Sequence, residues 1–501
     1  MIAQPPPRSV IILGGGTAGW MAANLLQKRW GERGTRVTLI ESRDIGIIGV
    51  GEGSTPQLKA FFDELGIAES EWMGRCNATY KAGIEFVGWS DQPGHERYFH
   101  PFPTAVDPFT EATFFTATRL RRGGADVAAH PDPFYLAARI ARDGRAPLAP
   151  ANFPFPVGYG YHFDAYLVGA TLRDVAVGRG VAHETATIAD VRLDDKGDIA
   201  ELQADDGRIF SADLYIDASG FRATLIEGAL KEPHRSFSDN LFNDRAVVTP
   251  TALPADGARA MTTATAASAG WIWHIPLTSR AGNGYVYSSR YLDPEDAAAE
   301  LRAHVGAEPD AEVRHLSMKC GRIERSWVRN CLAVGLAQGF LEPLEATALH
   351  IVLATVKGFT DAYERGDRDG FNAAIARRYE GIRDYIVCHY RTAQRRDTDY
   401  WRDVTANDRL SDSLKRVITA WFSGEDVEQE VLSQGIEGYY PPMSWHVMLA
   451  GYGNYPAASR LRPLPASPVD LAEVERFVGG CASNFPTHQA ALARLAEAEA
   501  A

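Results

Sequence analysis

The start of the chain shows the apolar pattern of a strand, a helix and a second strand. The run SVIIL is almost wholly apolar and leads into three glycines, as expected for a buried strand followed by a turn. Apolar side chains then recur at Trp20, Ala23 and Leu26, which is helical spacing. A second apolar run, TRVTLIE, ends at Glu41. This order predicts a βαβ unit with parallel strands.

Glycines occupy fixed positions in the turn between the first strand and the helix. Gly14, Gly16 and Gly19 form G-x-G-x-x-G, the dinucleotide fingerprint of Rossmann-type folds. Glycine lets the backbone approach a pyrophosphate at the helix N-terminus, and Glu41 is placed to accept from a ribose hydroxyl. A plain βαβ turn without a cofactor is the alternative. The residues predicted to bind the cofactor here are Gly14, Gly16, Thr17, Ala18, Gly19 and Glu41.

Three later segments favour FAD over NAD as the cofactor. A second glycine-rich loop spans Ile47–Pro56, and a run of hairpins leads to a buried strand that ends at Asp217. A further apolar strand, NCLAVGL, precedes AQGF. This layout is typical of flavoprotein monooxygenases, except that Leu336 follows Gly335 where those enzymes carry an aspartate. The interpretation is a monooxygenase-like scaffold with altered chemistry.

The last third of the chain has a helical pattern. Amphipathic runs extend from Ala346 to Asp403, and an alanine-rich helix is predicted near the end. Another helix is expected to begin in SPVDLAEVERF, with Ser467 as its N-cap and Pro468 at its first position.

The predicted fold class is therefore α/β plus α, with a Rossmann-type FAD-binding lobe and a helical substrate lobe packed at the C-terminal end. We predict that the FAD-binding lobe comprises residues 1–350 and carries substrate-facing inserts at about 90–155 and 235–320. Residues 351–501 are predicted to form the helical lobe that completes the substrate pocket.

Composition excludes several classes of function. The 501 residues are 45% hydrophobic and 23% charged, which is typical of a soluble globular protein. A net charge of −13 argues against a nucleic-acid partner, which would require a basic face. The five cysteines form no C-x-x-C pair, so we predict neither a metal site nor a disulfide framework. No signal peptide or membrane-spanning run is recognisable, so a cytoplasmic protein is expected.

Three segments carry side chains that an ordinary core does not require. CNATYKAGIEFVGW alternates like a half-buried strand but contains Lys81, whose simplest explanation is a side chain that reaches water along apolar surface. GWIWHIPL contains Trp271 and Trp273, for which burial in the core is the simplest explanation. GFLEPLEATALHIV contains Glu342 and Glu345, for which a stabilising position near a helix N-terminus is the simplest explanation.

Taken together, the fingerprint, the lysine, W-x-W-x-I-P and E-P-L-E-x-T resemble the flavin-dependent tryptophan halogenase family. The resemblance extends over nearly the whole chain and includes YGYHFDAYLV (Tyr159–Val168). It implies that a separate NAD(P)H-dependent flavin reductase supplies FADH2. It also implies that oxygen and a halide, chloride or bromide, then give hypohalous acid, which is guided through a tunnel to an indole-type aromatic substrate.

The resemblance assigns roles to individual residues. It implies that Lys81 and Glu345 are catalytic and that the backbone N–H groups of Thr347 and Ala348 bind the halide. A lysine ammonium polarises hypohalous acid by donating to its oxygen, and a desolvated neutral lysine forms a haloamine; both routes stay open. A carboxylate stabilises the arenium cation and takes its proton, so the two polar groups are expected within about 6 Å of each other. Further contacts are implied for flavin at Ile188, Leu336 and Leu349, and for the substrate or tunnel at His100, Phe102, Trp271, Trp273 and Trp445.

Two departures from the family pattern bear on specificity. The usual E-S-T-G is E-A-T-A here, and the methyl group of Ala348 crowds the halide site. Tyr439 and Tyr440 lead almost directly to SWHVMLAG, without the insert that grips the ammonium and carboxylate of tryptophan. We therefore expect bare indole, brominated at C3, to be preferred over free tryptophan. The alternatives are a free-tryptophan halogenase, a hydroxylating flavin monooxygenase, and a flavoprotein in which Lys81 and Glu345 are structural.

Overall fold

A computed structural model describes residues 4–42, 51–464 and 469–500 of the chain. Its strands are β1 (Ser9–Leu13), β2 (Arg36–Glu41), β3 (Gly51–Gly53), β4 (Thr79–Lys81), β5 (Gly83–Val87), β6 (Arg97–Pro101), β7 (Gly160–Asp164), β8 (Ala182–Thr185), β9 (Ile188–Leu193), β10 (Ile199–Ala204), β11 (Ile209–Phe210), β12 (Leu214–Asp217), β13 (His234–Ser236), β14 (Arg245–Thr251), β15 (Met261–Ala267), β16 (Gly270–Pro276), β17 (Ala281–Tyr287), β18 (Arg314–Ser317), β19 (Gly321–Ile323), β20 (Trp327–Val328), β21 (Cys331–Ala333) and β22 (Gly339–Phe340).

The α-helices follow the same order along the chain. They are α1 (Thr17–Trp30), α2 (Gln57–Leu65), α3 (Glu69–Trp72), α4 (Pro108–Arg122), α5 (Leu136–Arg142), α6 (Ala165–Gly178), α7 (Pro294–Val305), α8 (Ala348–Arg365), α9 (Arg368–Thr392), α10 (Asp399–Ala406), α11 (Asp412–Ser423), α12 (Val427–Gln434), α13 (Pro442–Gly451), α14 (Leu471–Ala482) and α15 (His488–Ala500). Among the described residues, none of these helices has both the length and the apolar character that crossing a membrane requires.

The first compact unit consists of the described residues up to Asn77 with Phe163–Ser238 and Met318–Glu380. Its main sheet has the order β20-β21-β12-β1-β2-β8, and all neighbours except β20 and β21 are parallel. The central strand β1 is buried along nearly its whole length, as expected for a parallel strand covered on both faces. Helix α1 packs against α6 and α8. The predicted βαβ unit and its Rossmann-type sheet are confirmed.

The second compact unit consists of Ala78–His162, Asp239–Ser317 and Gly381–Ala501. It contains a seven-stranded sheet of order β18-β14-β17-β16-β15-β5-β6, in which only the pair β5 and β15 is parallel. The W-x-W-x-I-P segment is β16 in the middle of this sheet. The helices from α10 to α15 belong to the same unit, so the predicted helical character of the C-terminal third is confirmed.

The compact units do not follow the predicted division at residue 350. Residues 351–380 belong to the first unit, because α8 packs against the Rossmann-type helix α1. Residues 381–501 share a unit with the sheet built from 78–162 and 239–317. The helices of residues 381–501 are therefore not a separate compact unit, and the predicted helical lobe 351–501 stays a prediction. That FAD binding is confined to residues 1–350 stays a prediction.

Two local predictions concern the edges of the described residues. Helix α14 begins at Leu471 and is capped by Asp470, whose carboxylate accepts from the N–H of Glu473. The helix therefore starts after the predicted Ser467 and Pro468, which lie outside the described residues. Residues 47–50 of the predicted second glycine-rich loop also lie outside them.

A glycine makes room for one of the tryptophans of β16. Trp273 pairs with Gly284 on β17, and a β-carbon at Gly284 would lie 2.1 Å from Cζ2 of the indole. We expect Gly284→Ala to lower the free energy of unfolding by about 1–3 kcal/mol because the added methyl overpacks the site. Urea denaturation measures this. Gly438→Ala is the control, because nothing lies within 4 Å of its β-carbon position. Equal stability of both variants would contradict the packing argument.

Candidate active site

The glycine fingerprint forms a turn with three different local requirements. Gly14 has φ +122°, and a β-carbon there would lie 2.2 Å from the carbonyl oxygen of Ala218. A β-carbon at Gly19 would lie 2.0 Å from the carbonyl oxygen of Gly14, so this glycine allows α1 to pack on the strand end. Nothing lies within 4 Å of the same position at Gly16. The open glycine at the start of α1 leaves the approach that a pyrophosphate requires, so this turn fits FAD.

Substitution of Gly16 should affect cofactor binding without affecting the stability of the fold. We expect Gly16→Ala to leave the melting temperature of the protein without flavin unchanged, because the methyl group meets no atom of the chain. The same methyl group occupies the path of the pyrophosphate, so the dissociation constant for FAD should rise about tenfold or more. Fluorescence titration of FAD measures this. Unchanged FAD affinity would show that the pyrophosphate does not bind at this turn.

Glu41 lies at the end of β2, as predicted, but it already has a partner. Its Oε1 is 2.7 Å from Nε2 of His183 on β8, and its carboxylate lies over Gly15. A ribose hydroxyl would have to share or displace the histidine contact. Sequence reasoning missed His183, because nothing in its own segment indicates which strand lies beside β2. The ribose contact of Glu41 stays a prediction.

The other predicted flavin contacts lie in the same compact unit as the fingerprint. Leu336 is half-buried and follows Gly335, whose β-carbon would lie 2.7 Å from that of Ala18 in the first turn of α1. Leu349 is buried in the first turn of α8. Ile188 is half-buried and packs against the apolar cluster that contains Leu13 and Ile40. The fingerprint follows β1 and Gly335 follows β21, and both strands run parallel to β12 in one sheet. The fingerprint and Gly335 therefore lie at the same edge of that sheet, where its parallel strands end.

The E-A-T-A segment forms a tight turn in front of α8. Glu345 is buried at the end of a 3₁₀ turn, and Ala346 adopts a left-handed conformation with φ +54°. This conformation costs an L-residue about 1–2 kcal/mol. Thr347 is the N-cap of the 18-residue helix α8, and Ala348 is its first residue. The N-terminus of such a helix favours an anion, as the predicted halide site requires.

The carboxylates of this segment are not those of an ordinary exposed first turn. Glu342 is 0% exposed and Glu345 is 6% exposed. Burial of a carboxylate costs free energy unless specific contacts compensate for it. A helix start alone does not require that cost, so the burial favours a functional role for the segment.

Lys81 is buried, which excludes the interpretation that its ammonium reaches water. Lys81 is 1% exposed, and its Nζ lies 5.5 Å from the ring centroid of Phe102. That distance is within the range of a cation–π contact. The predicted single strand is in fact β4 and β5, which separate at Ala82. The N–H of Phe102 donates to the Ala82 carbonyl, so this break sets Phe102 beside the lysine.

The predicted aromatic residues occupy two groups in the second unit. Trp271 and Trp273 lie on one face of β16 with ring centroids 6.1 Å apart, and both are buried. Trp445 on α13 meets the edge of Tyr385 at 4.8 Å, and the Tyr385 hydroxyl lies 3.5 Å from Nε2 of His100. Tyr385 thus joins the two predicted residues. Sequence reasoning missed it, because a tyrosine in an amphipathic helix cannot be distinguished from core.

The connection after α12 is short. Helix α12 ends at Gln434 and α13 begins at Pro442, so residues 435–441, including the two tyrosines, span the whole connection. Tyr440 stacks on Tyr385 with a centroid distance of 3.5 Å. This segment therefore contains no extended insert between the tyrosine pair and the helix of Trp445.

Comparison with known proteins identifies the family. A family model described as tryptophan halogenase matches residues 9–465. The chain belongs to the tryptophan halogenase family. Tryptophan 6-halogenase SttH of Streptomyces toxytricini is 38% identical over 497 residues, covering 92% of this chain and 91% of that protein. Tryptophan 7-halogenase RebH of Lentzea aerocolonigenes is 34% identical over 504 residues, covering 93% of each chain.

Solved structures agree with this assignment. The crystal structure of SttH has a TM-score of 0.83 at 35% identity, covering 97% of this halogenase and 100% of that chain. BrvH, a flavin-dependent halogenase from Brevundimonas sp. BAL3, has a TM-score of 0.85 at 32% identity, covering 98% and 100%. The predicted enzyme class and fold class are therefore confirmed. This halogenase uses reduced FAD and a halide, and flavin-dependent halogenases generally rely on a separate flavin reductase.

The predicted site residues fall into both compact units of this halogenase. The flavin and halide positions and Glu345 belong to the first unit, whereas Lys81 and the substrate aromatics belong to the second. The proximity of Lys81 to Glu345 stays a prediction. Within the described part of the chain, no three His, Cys, Asp or Glu side chains are grouped to hold a metal ion.

Proposed function

We propose that this halogenase halogenates the indole ring of a small aromatic substrate, with Lys81 and Glu345 acting on the reacting atoms. The observation that carries this proposal is the buried Lys81 ammonium against the face of Phe102 in a member of this family. A lysine that merely extends along apolar surface to solvent would retain contact with water.

When bound, reduced FAD would supply two electrons to O2, and the oxidant formed in this way would take two electrons from the halide. FADH2, O2, halide and one proton give FAD, water and hypohalous acid, and the acid then converts a C–H bond into a C–halogen bond with release of water. Lys81 donates a hydrogen bond to the hypohalous oxygen or, when neutral, carries the halogen as a haloamine. Glu345 takes the ring proton. The N–H groups of Thr347 and Ala348 hold the halide at the start of α8.

Two substrates have specific support. The short 435–441 connection favours bare indole over free tryptophan. Burying the ammonium and the carboxylate of tryptophan without dedicated partners would cost on the order of several kcal/mol. A loosely held ring should react at C3, its most nucleophilic carbon, and bromide should be favoured as the more readily oxidised halide. Free tryptophan is favoured instead by the names of the curated relatives, including the 6- and 7-halogenases above.

A competition experiment separates these substrates. Equal concentrations of indole and tryptophan are incubated with enzyme, a flavin reductase, NADH and either bromide or chloride, and products are resolved by liquid chromatography and mass spectrometry. The proposal predicts brominated indole, substituted at C3, as the main product. Dominant halotryptophan, or a halogen on a benzo-ring carbon, would show that the pocket fixes the amino acid by residues other than the missing insert.

The same experiment tests the remaining alternative. A product heavier by one oxygen and without halogen would identify a hydroxylating monooxygenase. The identity of the NAD(P)H-dependent reductase and a cytoplasmic location stay predictions from the sequence.

A further inference from the structure

A buried histidine bridges two strands next to the lysine. His162 on β7 is 0% exposed. Its Nδ1 lies 3.0 Å from Oγ1 of Thr79 on β4, and its Nε2 lies 3.0 Å from Oγ1 of Thr262 on β15. The Thr79 hydroxyl in turn donates to the carbonyl oxygen of Pro276, 2.7 Å away. Four segments of the second unit thus meet in one chain of hydrogen bonds.

The direction of these hydrogen bonds follows from the number of protons. Thr79 has a single hydroxyl proton, and the Pro276 carbonyl takes it. The Thr79 oxygen must therefore accept from His162, so Nδ1 carries a proton. In a neutral ring Nε2 is then the acceptor, and the Thr262 hydroxyl donates to it. Burial, and next the charge of Lys81, hold the pKa of His162 well below its usual value, so the neutral ring is the stable form.

The chain of hydrogen bonds acts at the strand that carries Lys81. Strand β4 has only three residues, Thr79–Lys81, and pairs with β7 so that Thr79 is opposite His162 and Lys81 is opposite Gly160. So short a strand has few backbone hydrogen bonds to fix its position. The hydroxyl of Thr79 anchors it to Pro276, the last residue of the W-x-W-x-I-P strand.

We propose that Thr79, His162 and Thr262 are positioning residues that hold β4 in register and thereby aim the Lys81 ammonium at the reacting halogen. This inference rests on the proposed catalytic role of Lys81. It also gives Pro276, the proline of W-x-W-x-I-P, a role, because its carbonyl accepts the last hydrogen bond of the chain that runs from Thr262 through His162 and Thr79. We call this chain of hydrogen bonds the relay. None of the three residues needs to touch the substrate.

Paired variants of Thr79 test the hydroxyl itself. Thr79→Val keeps the shape of the side chain and removes the hydroxyl, whereas Thr79→Ser keeps the hydroxyl. The measurement is kcat, KM and the fraction of FADH2 consumed that yields halogenated product. A displaced catalytic group costs rate, and a 1 Å error costs on the order of 10²-fold. We expect Thr79→Val to lower kcat and the product fraction about tenfold or more with KM unchanged, and Thr79→Ser to restore both.

A control and a second variant keep the test decisive. Thr263→Val changes the neighbouring residue of β15, whose side chain points to the other face, and should behave like wild type. If Thr79→Val does not fold, as judged by its melting temperature, Thr262→Val removes the other donor and should give the same loss. Wild-type kcat and product fraction in a folded Thr79→Val or Thr262→Val protein would overturn the inference, as would equal loss in Thr79→Ser.

Two further readouts distinguish this inference from the proposed function. ¹⁵N NMR of histidine-labelled protein, assigned by comparison with His162→Gln, should show the Nδ1–H tautomer unchanged from about pH 6 to 8. A signal that titrates like ordinary histidine would contradict the relay. If Lys81→Met still halogenates, the proposed function is overturned. If Lys81→Met is inactive but Thr79→Val converts FADH2 into halogenated product as efficiently as wild type, only the positioning role of Thr79, His162 and Thr262 is overturned.

Discussion

Replacing Lys81 by methionine should abolish halogenation while flavin binding and oxygen consumption continue. Methionine fills a similar volume but donates no hydrogen bond and forms no haloamine. Removal of one donor aimed at a reacting oxygen costs about 10²–10³-fold in rate, and loss of a haloamine would cost more. The fingerprint glycines belong to the other compact unit, so FAD affinity and NADH-driven oxygen uptake should match wild type.

The measurement for Lys81→Met combines product yield with an oxygen electrode. Lys415→Met is the matched control, because this lysine is in the same unit and its side chain is 53% exposed. Product formation near the wild-type rate in Lys81→Met would show that Lys81 is structural and not catalytic. Loss of both product and oxygen uptake would instead indicate damage beyond the substrate pocket.

Glu345→Gln should be the second most damaging change. Glutamine keeps the size and the hydrogen-bonding edge of the side chain but removes its charge and its capacity to take a proton. General-base catalysis typically contributes about 10²–10⁴-fold, so kcat should fall about 10²-fold or more with little change in substrate affinity. Single-turnover product formation after mixing with FADH2, oxygen and halide measures this directly.

The control for Glu345 is an exposed glutamate of the same unit. Glu324→Gln removes one negative charge at the surface and should leave kcat unchanged. If Glu345→Gln forms product at the wild-type rate, the ring proton leaves by another path and the buried carboxylate has a different purpose. A loss of FAD binding in this variant would place Glu345 in the cofactor site instead.

The parts of the fold that were predicted from sequence are those with strong local periodicity. The fingerprint, β1, α1 and β2 follow from apolar spacing and glycine positions within one short segment, and the helices of the last third follow from their amphipathic runs. The division at residue 350 stays a prediction, and the compact units are divided elsewhere, because membership of a unit depends on distant contacts such as that of α8 with α1. Periodicity within a helix contains no information on its partners.

The candidate site shows the same limit. Lys81 was identified as unusual because a lysine interrupts an apolar run, but its burial arises from the break at Ala82 and the return of Phe102 beside it. Both depend on pairings between separate segments. His162, His183 and Tyr385 carried no signal of their own, because each gains its role from a residue far away along the chain. The family resemblance supplied the roles that local patterns did not.

The parallel pairing of β5 with β15 has a consequence for how the protein is made. Trp89 donates to the carbonyl of Ala264, 175 positions later, and β5 lies beside β15 only after that distance has been synthesised. At ribosomal rates of about 5–20 residues per second, the Trp89 indole waits roughly 10–35 s for this acceptor, and longer for Trp401 and Tyr452, against which it also packs. Until then Trp89, which is buried in the folded protein, lacks these partners on the nascent chain, and chaperone binding competes with aggregation for it.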